Sequence, residues 1–567
     1  MKTRNKLYDK SRLRLLCLLT ALLGLFGAGQ TWAGNPTTLT VGGTNVQSGG
    51  YWTTDESGTL TADGASAENY NVYYDGNGTL TLKDATINGT NTIGHVGAGI
   101  FASGDLTIVL EGSSTVKGVQ DPNGETQSIR VEENLTIQGG GSLTAQGAET
   151  SSGSSYGIFV IGSFTQQGGS VTASGGNVSG NYNSTGLYVY GSTVTVQGGT
   201  LTATGGTTGS GSYGISANGS VTLSDATVTA TGGTGKYSYG LYVSSNSPSV
   251  TPPCPPIRSL TARSESADKA GGIYFQNPFG STGSVTVGNG STLLTNSVIR
   301  QDMYNTQNPL APTGDGSWLI YGQSNQTSAV GGSYTLKENI TIPEDVTLTI
   351  PAGGTLTIPE DKTLTADANQ LVVNGELVLE GTFEKAKEFE GTGAIVLGEI
   401  TLTDDEGIGA YEGYQLKLKS KKVTYVRALS DNSQYGTICL PFVPTSVAGG
   451  QVTYYQVEKL GSNEITLVEI DFEAGKPLFY RTSGTGSITF SAESAAGVEL
   501  VTTPATDNFM VGTMSEVIPT TGYFLKNNNF YPITDGVQVK VKSFRAYVKG
   551  QNDASQASVM SVNVARP

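Results

Sequence analysis

Apolar and polar residues alternate with period two through most of this chain, in short runs separated by glycine, and the runs recur at a near-constant interval. One run opens Gly-apolar-x-apolar. It reads Gly99-Ile100-Phe101-Ala102, Gly157-Ile158-Phe159-Val160, Gly186-Leu187-Tyr188-Val189, Gly214-Ile215-Ser216-Ala217, Gly240-Leu241-Tyr242-Val243 and Gly272-Ile273-Tyr274-Phe275. Ser128-Ile129-Arg130-Val131 falls in the same frame, and the start-to-start intervals are 29, 29, 29, 28, 26 and 32 residues. A second run is apolar-Thr-apolar, as in Leu106-Thr107-Ile108 and Val194-Thr195-Val196. A third is apolar-Thr-Ala, as in Leu143-Thr144-Ala145 and Val228-Thr229-Ala230. Period-two alternation is the signature of a strand, and Gly-Gly, Gly-Ser or Asn-Gly pairs mark corners. Three strands and three corners in about 28 residues predict one coil of a right-handed parallel β-helix, a stack whose units bury their apolar faces against each other.

The pattern divides the rest of the chain. Residues 34–96 read as the first coils of the stack, because Gly78-Thr79-Leu80-Thr81-Leu82-Lys83-Asp84-Ala85-Thr86-Ile87 resembles the run from Gly219 to Val228. The shared Asp-Ala-Thr at Asp84 and Asp225 predicts one corner geometry, since Asp tolerates tight turns. The helix is therefore placed at 34–300, with a Pro-rich insertion at 246–271 leaving the stack as a loop. Residues 301–333 are irregular and read as a connector or a strand pair with a long loop. From Tyr334, strand-plus-proline units such as Thr347-Leu348-Thr349-Ile350-Pro351 and Thr355-Leu356-Thr357-Ile358-Pro359 repeat about every eight residues. Proline at a strand end suits a corner, because it donates no ladder hydrogen bond. This predicts a tighter β-solenoid section, grouped with the connector as 301–410. Beyond it the repeat is lost and aromatics increase, predicting a separate C-terminal β-sandwich over 411–567. The fold class is all-β throughout.

Residues 1–33 have a basic start (Lys2, Arg4, Lys6, Lys10, Arg12, Arg14), an apolar stretch from Leu15 to Phe26 and a small-residue site at Thr31-Trp32-Ala33. This is the pattern of a secretory signal peptide. The chain of 567 residues carries a net charge of −15, and removing that segment takes away six cations. Such an acidic chain disfavours nucleic acid and anionic membranes as partners. No other stretch has the length of a membrane span. Cys254 and Cys439 lie in different predicted domains, with no metal or redox spacing. Secretion permits a disulfide between them, and two unpaired thiols is the plainer reading.

The C-terminal residues resemble a module common in secreted and surface proteins of gut and oral Bacteroidota. The matching pieces are Tyr435-Gly436-Thr437-Ile438-Cys439-Leu440-Pro441-Phe442, Ala474-Gly475-Lys476-Pro477-Leu478-Phe479-Tyr480, Phe509-Met510-Val511-Gly512-Thr513, Gly522-Tyr523-Phe524-Leu525 and Ser543-Phe544-Arg545-Ala546-Tyr547. The Gly/Thr-rich repeats resemble β-helical "carbohydrate-binding domain-containing" proteins of the same bacteria. These resemblances imply an adhesin-like protein, secreted or on the outer surface of a Gram-negative cell, with no catalysis assigned to its C-terminal module.

Parallel β-helices also host polysaccharide lyases and glycoside hydrolases, and hydrolysis typically needs two carboxylates about 5–10 Å apart. Acidic residues between 97 and 245 are few, and no Asp/Glu pair recurs on neighbouring coils. The doublets Glu132-Glu133 and Asp404-Asp405 read as solvated surface. His95 is the only histidine, so a multi-histidine metal site is impossible, and it sits in a polar turn. No catalytic residue, metal or cofactor is expected.

Binding has better support. If Ile158, Leu187 and Leu241 point inward, the residue after each points outward. That places Phe101, Phe159, Tyr188, Tyr242 and Tyr274 in one outward column, interrupted by Arg130 and Ser216. Neighbouring coils are about 4.8 Å apart, so the column would offer flat apolar faces to sugar rings. A ladder of stacked aromatics that only stabilises the solenoid is the competing reading. The expected partner is a glycan, or a host or neighbouring cell-surface protein, contacted by a monomer. The alternatives are a polysaccharide-degrading enzyme and a structural stalk.

Overall fold

The computed structural model describes residues 34–564 apart from 91–96, 121–123, 245–248, 252–258, 266–269, 277–283, 288–290, 297–298, 304–305, 323–327, 386–389, 406, 409–415, 430–433, 462–463, 535–537 and 551–558. Residues 1–33, which read as a signal peptide in the sequence, lie outside the described residues, as do Cys254 and His95. Among the described residues the regular elements are all strands apart from one 3-10 turn, Ala368–Gln370. Among the described residues no helix is long and apolar enough to cross a membrane. The fold divides into two compact units at Tyr334/Thr335.

The first unit is the expected β-helix. Its first sheet stacks Ile100–Ala102, Thr126–Val131, Ser155–Val160, Ser184–Val189, Gly211–Ala217, Tyr237–Ser244, Ala270–Gln276 and Ile299–Met303 in parallel. The apolar frame is in register, with Ile100, Ile129, Ile158, Leu187, Ile215, Leu241, Ile273 and Ile299 opposite one another. All eight are fully buried. The apolar-Thr-apolar runs form a second sheet and the apolar-Thr-Ala runs a third. Thr107, Thr136, Thr165 and Thr195 align as one half-exposed column, where β-branched residues fit a pleated surface.

The corners are held by side chains acting across coils. The Ser155 hydroxyl donates to the Ala148 carbonyl (2.8 Å) and accepts from the Gly176 amide (2.7 Å). Ser184 repeats this with the Gly176 carbonyl and Gly206 amide, and Ser212 with the Gly206 carbonyl and Gly233 amide. Each of these serines is fully buried. A buried polar group left unmatched costs about 1–3 kcal/mol, and Ser184→Ala orphans one carbonyl and one amide. We expect it to destabilise the first unit by about 2–3 kcal/mol, read as a lowered urea midpoint at unchanged slope. The Asp-Ala-Thr corners share their geometry as expected, for Asp84 and Asp225 have φ of +49° and +46°. Asp84 justifies that conformation by accepting from the Ser113 amide at 2.8 Å.

In the first unit three boundaries differ from the sequence reading. Residues 34–96 are coils only from Thr79 onward. Upstream, Leu39–Val41 pairs antiparallel with Ile100–Ala102, and Gly50–Thr54 pairs antiparallel with Val72–Tyr74, which pairs antiparallel with Thr79–Lys83. A parallel stack ends in an open strand edge, and an antiparallel turn of chain covers it. Residues 246–271 do not leave the stack as a loop. Ser249–Thr251 and Ser259–Ser264 pair in register with the preceding coil, Val221 opposite Val250 and Val228 opposite Leu260. Leu260-Thr261-Ala262 is another apolar-Thr-Ala run, and it keeps the frame of the stack. The stack also runs past residue 300, since Ser317–Ile320 pairs parallel with Thr292–Thr295.

In the second unit three strand-turn segments make one coil. Leu348 lies opposite Leu371, Thr355 opposite Glu376 and Thr363 opposite Thr382. The expected break at 410/411 is not a domain boundary. Ala394–Leu402 pairs parallel with Lys417–Ala428, which pairs antiparallel with Ser487–Leu500, so the tighter solenoid continues into the C-terminal sheets. A second, nine-stranded sheet begins at Tyr435–Ile438 and includes Leu478–Thr482, Tyr523–Lys526 and Ala546–Val548. Tyr425 of the first sheet packs edge-on against buried Phe544, with ring centres 5.3 Å apart.

Candidate functional site

Period-two alternation fails once in the central strands of the first sheet, and that failure shapes the outer face. In Ser155–Val160, Ser155, Gly157, Ile158 and Val160 are buried, whereas Tyr156 and Phe159 are partly exposed. Two consecutive residues, Gly157 and Ile158, turn inward. A Cβ on Gly157 would lie 2.6 Å from the Ser174 amide nitrogen and 2.7 Å from the Gly186 carbonyl oxygen, so the strand runs tight against neighbouring backbone there. The outward positions flank that step and form two columns, not one.

The five aromatics expected in one column are aligned, with Arg130 and Ser216 between them: Phe101, Arg130, Phe159, Tyr188, Ser216, Tyr242 and Tyr274 are successive partners across the sheet. Beside them runs a second column, Gln127, Tyr156, Thr185, Tyr213, Tyr239 and Gly271. Its tyrosines were missed from the sequence because strict alternation assigns them inward. Their signal is the recurrent pair Tyr156-Gly157, Tyr213-Gly214 and Tyr239-Gly240.

The two columns interlock by size. Where the first carries Ser216 the second carries Tyr213, and where the second carries Thr185 or Gly271 the first carries Tyr188 or Tyr274. Tyr156 packs against Phe159 at 5.2 Å and stacks on Tyr188 at 5.4 Å between ring centres. Tyr239 stacks on Tyr274 at 4.4 Å, and Tyr242 on Tyr274 at 5.6 Å. Tyr213 reaches Tyr242 at 5.0 Å. Offset and edge-to-face rings at such spacings each add about 0.5–1.5 kcal/mol beyond area burial. The Arg130 guanidinium lies 5.0 Å over the Phe159 ring and pairs with Glu132 at 3.3 Å.

The face is less open than expected. Phe101 and Tyr274 are only 5% and 7% exposed, Phe101 on the coil capped by Leu39–Val41 and Tyr274 beneath Tyr239 and Tyr242. Phe159, Tyr188 and Tyr242 keep part of their surface in solvent. Tyr190 is 57% exposed, with its ring centre 6.4 Å from that of Tyr188, and extends the face outward. Burial pushes the Tyr156 phenol up to about 12 and raises that of Tyr188, so both stay neutral hydrogen-bonding groups at physiological pH.

The candidate chemical groups elsewhere are engaged in structural contacts. Asp404 pairs with Arg545 and accepts from the Tyr425 hydroxyl at 2.6 Å, while Asp405 pairs with Lys542 at 2.8 Å. The Cys439 thiol is fully buried, donates to the Gly475 carbonyl, and is pushed up to about 12 by burial, the opposite of an activated nucleophile. Among the described residues no group of three or more His, Cys, Asp or Glu side chains is placed to hold a metal ion. Compared with protein-family models, curated proteins and solved structures, the chain matches none of them.

Proposed function

We propose that this is a non-enzymatic, adhesin-like binding protein, secreted or displayed on the cell surface, that contacts carbohydrate through the outer face of its β-helix. The observation that carries the reading is the double aromatic column, with Phe159, Tyr188 and Tyr242 partly open along it and the exposed Tyr190 beside Tyr188. Sugar rings present flat C–H faces, and partly exposed tyrosines supply both an apolar face and a hydroxyl. Binding at each coil is shallow, and repetition along the stack raises the overall affinity. The interior packing of Phe101 and Tyr274 supports a second reading, a structural stalk in which the rings only brace the coils.

A glycan-array screen of the full chain beside a Tyr188→Ala/Tyr242→Ala double variant separates the two. We expect binding to a restricted set of glycans that falls at least tenfold in the variant, with the strand signal in circular dichroism preserved. Equal binding by both proteins removes the face from consideration, and no binding by either favours the stalk.

A further inference from the structure

The second unit contains a cleft of about 570 Å³ whose charge runs against that of the whole chain. It is lined by Arg427, Lys526, Lys540, Lys542 and Arg545, and among the described residues by no carboxylate, in a protein of net charge −15. The counter-ions of three of these cations lie outside the lining: Asp404 for Arg545, Asp405 for Lys542 and Glu516 for Lys540. No described carboxylate pairs with Arg427. Its guanidinium donates to the Thr437 carbonyl and lies 4.8 Å over the Tyr480 ring, yet the residue is only 6% exposed. The Nε atoms of both Arg427 and Arg545 are buried with no hydrogen-bond partner among the described residues. A buried cation without a full set of partners is unfavourable, and the proximity of a second guanidinium deepens the cost. Burial and the Arg545 charge together hold the Arg427 guanidinium below its ordinary pKa.

The backbone beside the cleft is strained at one residue. Phe544 is a fully buried aromatic at φ +58°, a conformation that costs a bulky residue about 1–3 kcal/mol and persists only where its surroundings impose it. It stands between Lys542 and Arg545. Two partly exposed aromatics, Tyr435 and Phe524, complete the lining. Arginines match planar oxyanions in pairs of hydrogen bonds, and aromatic faces match the C–H faces of sugars. The volume is within the usual range for a small-ligand site.

We infer that this cleft binds an acidic sugar, its carboxylate set against Arg427 and Arg545 and its ring against Tyr435 or Phe524. The inference does not rest on the aromatic columns of the first unit. The test is titration calorimetry of the full chain with trigalacturonate, a neutral trisaccharide and a short polyglutamate peptide. Two variants accompany it: Arg427→Met, which keeps side-chain length, and Lys526→Glu, an exposed change that leaves the melting temperature unaltered. We expect trigalacturonate to bind, to weaken as salt is raised, and to lose at least tenfold in affinity in each variant. The Tyr188→Ala/Tyr242→Ala protein is expected to bind it normally. Absence of trigalacturonate binding, unchanged affinity in Lys526→Glu, or loss of binding in the tyrosine variant each overturns the assignment. Tighter binding of polyglutamate also overturns it, in favour of an acidic peptide.

Discussion

Phe164→Ala is expected to destabilise the first unit by about 3–5 kcal/mol, the range for emptying a buried aromatic site. Phe164 is fully buried and belongs to the inward column Leu106, Leu135, Phe164, Val194, Val221 of the second sheet. It is the one aromatic in that series. The coils above and below are locked in register by parallel ladders on all three sheets, so they cannot close on the space it leaves. A solenoid adds another consequence. Each coil contacts only its neighbours, so stability is a sum of local couplings, and a weak coil in the middle uncouples the two halves. We expect thermal unfolding, followed by circular dichroism, to broaden or separate into two steps in Phe164→Ala. Phe164→Leu should cost roughly 1–2 kcal/mol and keep one step, because Leu already occupies the same position at Leu135. A single sharp transition at the wild-type temperature in Phe164→Ala would mean that the column does not couple the coils.

The same register explains what was legible in the sequence. The glycine period, the three strand types and the Asp84 and Asp225 corners are local patterns repeated many times, so each coil corroborates the next. The first-sheet aromatics were legible as a column for that reason. What was lost is non-repeating or violates alternation. Strict alternation would turn Tyr156, Tyr213 and Tyr239 inward, and they face outward because the inward step at Gly157, Gly214 and Gly240 uses two residues in succession. The antiparallel cap over 39–74 carries the same alternation as a coil, and alternation does not report strand direction. The prolines after Thr251 read as a break because they dominate the composition, although Leu260-Thr261-Ala262 keeps the frame. In the second unit nothing short in sequence announces the cleft. Arg427 and Arg545 line one cleft, held by Thr437 and Asp404 respectively, from segments far apart in the chain.

Asp404→Asn is the change in the second unit from which we expect most. Asp404 accepts from Tyr425 and from Arg545, and its side chain and that of Arg545 are 19% and 24% exposed. Burial alone would raise its carboxyl pKa. The hydrogen bonds from Arg545 and Tyr425 outweigh that and hold it below the ordinary carboxylate range. Removing one partner of a buried ion pair costs about 3–5 kcal/mol, because the remaining charge is left uncompensated. Here the remaining charges are two, Arg545 and the neighbouring Arg427. The sign of the pH dependence follows from the lowered pKa. The ionised carboxylate stabilises the fold fully above its unfolded-state value, near 3.9. That contribution is lost as pH falls from there through the lower folded value, where the proton is taken up. Urea unfolding of wild-type protein and Asp404→Asn between pH 7 and pH 2.5 therefore should show a large stability difference at neutral pH that shrinks below about pH 4. A difference that stays constant to pH 2.5 would place the effect of the substitution in packing around Tyr425 and not in the charge of Asp404.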